Sequence, residues 1–242
     1  MLETIKCAKL QKNQVIKDIR NATVLGKFRG LPQVNIRNCT NCNECKNICP
    51  TNAITEDISI DLGKCIFCGE CERVCSSNVI KFSNFHKIGS GIRESLLIKG
   101  ELDSIKTSDF IHKTFGRSLR LRQVSAGGCN SCEMELNACS NANFDMGRFG
   151  IEFVASPRHA DGIVITGPIT KNMAKALEDT YLAIAEPKIV ILVGACAISG
   201  GIFQNSENLN REFLEKYKVD LYIPGCPAHP LTIINAILDF LQ

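Results

Sequence analysis

The sequence predicts an α/β chain, an open parallel sheet covered by helices, preceded by a small cysteine-dense α+β module. Three observations predict it. From about residue 118 to 242, segments that read as strands alternate with segments that read as helices. Two of those strands, DGIVITG and KIVILVG, are nearly unbroken apolar runs, as suits strands buried on both faces. Finally, CTNCNECKNICP at 39–50 returns as CIFCGECERVCS at 65–76, a repeat the second half does not share.

Taken in order, residues 1–30 carry seven Lys or Arg against two acids and read as a solvated helical arm. Residues 31–85 form the repeated module, each copy of C-x-x-C-x-x-C-x-x-x-C being followed by a turn and a short apolar strand, TNAIT and then SNVIKF. Residues 86–117 are a polar connector, with one helix expected in GSGIRESLLIKGELDSIKTSDF. Within 118–242, LRLRQVSA alternates as a strand should, and NSCEMELNACS reads as a helix beginning near its cysteines. IEFVAS and DGIVITG are strands, KNMAKALEDTYLAIAE is an amphipathic helix and KIVILVG a strand. REFLEKYK is helical, DLYIPG is a strand, and PLTIINAILDFLQ closes the chain as a helix.

Composition narrows the function. With 45% hydrophobic and 22% charged residues, the 242-residue chain is an ordered globular protein. A net charge of +3, with no basic run interleaved with aromatics, points away from nucleic acid. No apolar run is long enough to span a bilayer, and the first residues show neither a secretory apolar core nor a twin-arginine pair. A cytoplasmic location is therefore expected. Thiols stay reduced there, so the repeated spacing reads as metal ligation and not as disulfides.

A cubic iron–sulfur cluster needs four soft thiolates around one small volume. The run C-x₂-C-x₂-C-x₃-C-P gives three to one cluster and sends the fourth to the other. By that rule Cys39, Cys42, Cys45 and Cys75 hold one [4Fe–4S] cluster, and Cys65, Cys68, Cys71 and Cys49 hold a second. Pro50 follows the first run as the pattern asks, while Ser76 replaces proline after the second. Zinc also takes four cysteines, but its motifs supply them in separated pairs.

Six cysteines remain: Cys7, Cys129, Cys132, Cys139, Cys196 and Cys226. VSAGGCNSC, ILVGACAISGG and LYIPGCPAHP each follow a strand. In an open parallel sheet the carboxyl ends of the strands share one edge, where ligands bind. That edge brings together Cys129, Cys132, Cys196 and Cys226, with neighbouring glycines permitting tight turns. They are expected to hold a third [4Fe–4S] cluster. Cys139, two turns past Cys132, is expected to pack in the interior, and Cys7 has no partner by spacing.

The cysteine-dense module resembles a bacterial-type two-cluster ferredoxin. FGRSLRLRQVSAGGCNSCEMEL, VASPRHADGIVITGPITKNM, VGACAISGGIF and YIPGCPAHP resemble the small subunit of energy-converting, membrane-associated [NiFe] hydrogenases. The same core is similar to the cluster-bearing small subunit of respiratory complex I. The likeness covers roughly 115–242 and implies a flavodoxin-like sheet, the whole chain being a fusion of two subunits that are neighbours in both assemblies. The spacing Cys129-Asn-Ser-Cys132 and His159 follow the hydrogenase form. Ser131 and Ala228 depart from it, standing where glycine and a second proline are common.

From this resemblance the chain is expected to be the electron-transfer subunit of a [NiFe]-hydrogenase complex. Its catalytic centre would lie on a separate hydrogenase-like large subunit. Membrane-anchor subunits and a redox donor or acceptor, such as ferredoxin or a dehydrogenase, are the further partners implied. The location is then peripheral, on the inner face of the cell membrane. Glu133, Glu135 and His159 are implied as proton or electrostatic partners, with Arg158 and His159 tuning the third cluster. The alternative is an electron-transfer subunit of a nickel-free, complex I-related quinone or ferredoxin oxidoreductase.

Overall fold

A computed structural model describes residues 2–11, 15–24, 26–99, 109–116 and 118–242. Its larger part is one five-stranded sheet, with every neighbouring pair parallel. The strands are β5 (Leu119–Ser125), β6 (Ile151–Phe153), β7 (Gly162–Thr166), β8 (Ile189–Val193) and β9 (Leu221–Ile223). They lie in the order β6-β5-β7-β8-β9, so the direction of winding reverses between β5 and β7. This is the flavodoxin-like order, and the reversal opens a crevice at the carboxyl ends of those two strands.

The central strands β7 and β8 are buried at all five positions, as their apolar runs predict. Successive residues face opposite cores. Ile163 and Ile165 join one apolar cluster while Val164 joins the other, and the same alternation divides Val190 and Leu192 from Ile189, Ile191 and Val193. One face is covered chiefly by α5 (Ser131–Cys139) and α9 (Pro230–Leu241), the second with only Asp239 short of full burial. On the other face Leu177 of α6 (Lys171–Leu182) and Phe213 of α8 (Glu212–Lys216) pack against the sheet.

That second cluster continues without a break into the cysteine-dense module, through Ile198, Ile60, Leu62 and Phe67. The module is built on two small antiparallel pairs, β1 (Pro32–Val34) with β3 (Ile80–Phe82), and β2 (Ile60–Asp61) with β4 (Leu97–Ile98). Strand β4 comes from the stretch read as connector. TNAIT makes only a single bridge, Ile54 to Ile60, and GSGIRESLLIKG forms a short 3₁₀ turn at Glu94–Leu96 before β4. A helix, α4, occupies Asp109–Phe115, and residues 100–108 of the expected connector helix lie outside the described part.

Leu2–Gln11 form α1, whose apolar Leu2, Ile5 and Leu10 are exposed. The rest of the arm is docked: Ile19 and Val24 are buried in the α9 core, and Arg20 pairs with Asp239 at 2.5 Å. Ser90 and Tyr222 form an antiparallel bridge, so the segment after the module adds to the free edge of β9.

Candidate iron–sulfur centres

The two repeats fold as copies of one backbone path. Asn41 and Phe67, Asn43 and Gly69, and Asn52 and Asn78 occupy matching places, and all six have positive φ. The left-handed turns precede α2 (Glu44–Asn47) and α3 (Glu70–Val74), which carry Cys45 and Cys71. A purpose for these turns is visible at the sulfurs. The backbone N–H of Asn41 donates to Cys39 Sγ at 3.4 Å and that of Phe67 to Cys65 Sγ at 3.3 Å. Ala53 and Val79 donate to Cys49 and Cys75, both at 3.3 Å. Phe67 carries a steric cost at φ 52° that asparagine bears more readily, and its ring is buried in the module core.

One cavity of the module is lined by Cys39, Cys42, Cys45 and Cys75, and another by Cys49, Cys65, Cys68 and Cys71. Each cavity thus takes three thiols from its own repeat and one from the other. Ile58 and Val79 line the first, and Ala53, Ile54, Ile60 and Phe82 the second. Burial pushes the Cys65 and Cys71 thiols up to about 12 and raises Cys45 as well. A buried thiolate here needs a cation to offset its desolvation.

The third group assembles from three loops. Cys129 follows β5, and Cys132 lies in the first turn of α5, with Asn130 left-handed between them at φ 68°. Cys196 sits in α7 (Ala195–Ser199) directly after β8, and Cys226 between β9 and α9. Cys196 is within electrostatic reach of Cys129 and Cys226, and Cys132 of Cys196 and Cys226. Burial pushes Cys132 up to about 12 and Cys196 to about 11. Cys129 is exposed and lowered, because its sulfur shares a hydrogen bond with the Ser131 hydroxyl at 3.4 Å. Gly194 is required where it stands: φ is +90°, and a Cβ there would lie 2.6 Å from Cys132 Sγ.

Cys226 also interacts electrostatically with Cys68. Nearby, a cleft is lined by Arg29, Phe67, Glu135, Cys226, Pro227 and His229, among others. The second thiol group of the module therefore adjoins the group at the sheet edge.

Of the other residues singled out from sequence, Glu133 is buried, with 5% of its surface exposed. Its Oε1 accepts from Ser125 Oγ at 2.6 Å and Thr166 Oγ1 at 2.7 Å, the last residues of β5 and β7 and partners in register. The carboxylate thus occupies the crevice where the sheet reverses. Glu135 lines the cleft beside Cys226, and burial raises its carboxyl. Arg158 and His159 lie in the turn between β6 and β7, both exposed. Cys139 is fully buried between α5 and α9, its Sγ donating to Glu135 O at 3.2 Å, while Cys7 is exposed on α1.

Sequence reasoning missed the partners of Glu133. Thr166 carried a signal, as the one polar residue in the run IVIT, whereas Ser125 carried none. It also missed Arg211, which reads as part of an ordinary charged helix.

The donor chemistry fits iron–sulfur clusters. Each group is all thiol, and in the module apolar side chains line both cavities, whose sulfurs surround a space instead of meeting at a point. Among the described residues no three His, Cys, Asp or Glu side chains converge closely enough to hold a single metal ion. Harder ions would call for oxygen ligands.

Residues 32–55 and 58–81 match the 4Fe-4S binding domain, and residues 129–240 match the family described as NADH ubiquinone oxidoreductase, 20 Kd subunit. The chain is 37% identical over 130 residues to "Probable membrane-bound hydrogenase subunit mbhJ" of Pyrococcus furiosus, covering 54% of this chain and 78% of that one. To "Formate hydrogenlyase subunit 7" of Escherichia coli it is 39% identical over 141 residues, 58% of this chain and 54% of that one. To an NADH-quinone oxidoreductase subunit of a Roseiflexus species it is 43% identical over 112 residues, 46% of this chain and 42% of that one. A solved chain from the membrane-bound sulfane sulfur reductase, an archaeal respiratory membrane complex, aligns at 32% identity over 55% of this chain and 73% of that one, with a TM-score of 0.47. The chain thus carries a 4Fe-4S binding repeat ahead of its sheet, and it belongs to the NADH ubiquinone oxidoreductase 20 kDa subunit family.

Proposed function

We propose that this chain relays electrons through three [4Fe–4S] clusters to or from the active site of a [NiFe]-hydrogenase large subunit. It is an electron-transfer iron–sulfur subunit of the hydrogenase-like, complex I-related oxidoreductases. The ligand sets are Cys39, Cys42, Cys45 and Cys75, then Cys65, Cys68, Cys71 and Cys49, then Cys129, Cys132, Cys196 and Cys226. The observation that carries the reading is the gathering of twelve thiols into three groups of four, with Cys68 of the second within electrostatic reach of Cys226 of the third.

The clusters supply one-electron transfer at low potential; the chain's own residues fix and shield them. Backbone N–H groups of the left-handed turns stabilise charge on Cys39, Cys49, Cys65 and Cys75. Buried apolar side chains exclude water. Ser125 and Thr166 hold Glu133 in one orientation, which makes it a fixed acceptor beside the third group. Glu135, with its carboxyl raised by burial, is suited to carry a proton. Among the described residues no helix is long and apolar enough to cross a membrane; the likeness to a membrane-bound hydrogenase subunit supports attachment through partner subunits.

A nickel-free relative is the second reading, favoured by the 43% identity to a quinone oxidoreductase subunit. Against it stands the spacing of Cys129 and Cys132, which follows the hydrogenase form. Anaerobic purification of the native complex through a tag on this chain decides between them. Nickel near one per complex, with about 12 irons from this chain, supports the hydrogenase reading. The same iron without nickel moves the function to the nickel-free class, and iron well below that defeats the three-cluster assignment.

A further inference from the structure

A cationic side chain stands beside the third thiol group with no acid paired to it among the described residues. Arg211, at the start of α8, turns its guanidinium inward. Nη1 donates to Pro168 O at 3.0 Å and Cys196 O at 3.2 Å, and Nη2 to Ala197 O at 2.8 Å and Ile198 O at 3.0 Å. All four acceptors are neutral backbone carbonyls. Three belong to α7, the short helix that carries Cys196, and the fourth follows β7.

An arginine withdrawn from water keeps its proton and needs a counter-charge. Carbonyl dipoles solvate it only in part. A cluster ligated by four thiolates is anionic in both oxidation states, and more so after reduction. The guanidinium is part-buried, so the attraction between such a cluster and this cation is screened less than in open solvent.

We propose that Arg211 is a tuning residue for the third cluster: its fixed positive charge, applied through the Cys196 side, favours the reduced state and raises the reduction potential. The inference rests on reading Cys129, Cys132, Cys196 and Cys226 as cluster ligands. One electron enters the cluster and Arg211 gives up nothing; it only shifts the equilibrium.

The test uses the native complex, purified anaerobically with Arg211→Gln or Arg211→Lys, and followed by redox titration of the cluster signals in electron paramagnetic resonance. Arg211→Gln is expected to lower the third midpoint by about a tenfold change in the reduction equilibrium, or about 59 mV for one electron. Arg211→Lys keeps the charge and stays near the parent value, and neither variant moves the ferredoxin-module signals. Equal falls in both variants, or full iron with no fall in Arg211→Gln, would overturn the proposal.

If Arg211→Gln loses the third signal altogether, Arg211→Lys decides. A parent-like potential supports tuning by charge, whereas a lowered potential or a lost signal makes Arg211 a purely architectural cap on α7. The underlying reading fails separately: an unmodified complex with about 8 irons in this chain would lack the third cluster before any variant is made.

Discussion

In the ferredoxin module each cavity draws three of its four thiols from one short run of sequence, and several of those thiols belong to the core itself. Cys45, Cys65 and Cys71 are buried with Ile54, Ile60 and Leu62. At the sheet edge the four thiols come from three loops, and beneath them lies a full apolar interior in which Cys139 is the one buried thiol. The comparison teaches that the same ligand chemistry sits on two different foundations. In the module the metal site and the fold are one object, whereas at the sheet the fold comes first and the site is mounted on its rim.

The largest expected effect tests that contrast directly. Stripping iron and sulfide from the chain with a chelator should open residues 39–75 to protease while 118–242 stays protected, as read by limited proteolysis and mass spectrometry. Equal digestion of both regions would erase the distinction. A more local effect is expected from Gly194→Val, which sets a branched side chain against Cys132 Sγ at a φ that valine resists. Iron should fall by about 4 per chain with both module signals kept. Unchanged iron would mean that the rim tolerates far more displacement than the packing suggests.

The smallest effect concerns the seam between the regions. His86 lies against Asn235 of α9, 3.4 Å from its side-chain nitrogen, and burial lowers its pKa to about 4 from 6.5. The unfolded chain therefore binds the proton first. Stability should be full above pH 6.5 and decline as pH falls towards about 4. Urea unfolding at about pH 7 and about pH 5.5 measures it, and His86→Asn should flatten the difference. An equally steep dependence in that variant would place the acid-sensitive group elsewhere.

How legible each part was follows from the same contrast. The five sheet strands and the helices α5, α6, α8 and α9 were readable because an apolar run or period extends over enough of the sequence to show itself. Strand β4 was not, since two residues carry no period and Leu97–Ile98 become a strand only by meeting Ile60–Asp61. Nor does TNAIT extend as expected, for Asn52 and Ile58 turn the backbone left-handed at its start and just beyond its end. The arm read as solvated is half docked, because Ile19 and Val24 find an apolar partner in a helix more than 200 residues away. The module's thiol groups were visible in spacing alone. Those at the sheet edge needed the topology, and Arg211 needed the folded chain, because nothing local marks an arginine whose partners are carbonyls of another helix and the turn after β7.

The exchange of Cys49 and Cys75 between the two cavities bears on how the protein is made. Neither cavity is walled until both repeats exist, so a ribosome that has delivered only the first has delivered three of the first cavity's four thiols and one of the second's. A group held in either cavity would tie the two repeats together, and so order the walls of the other.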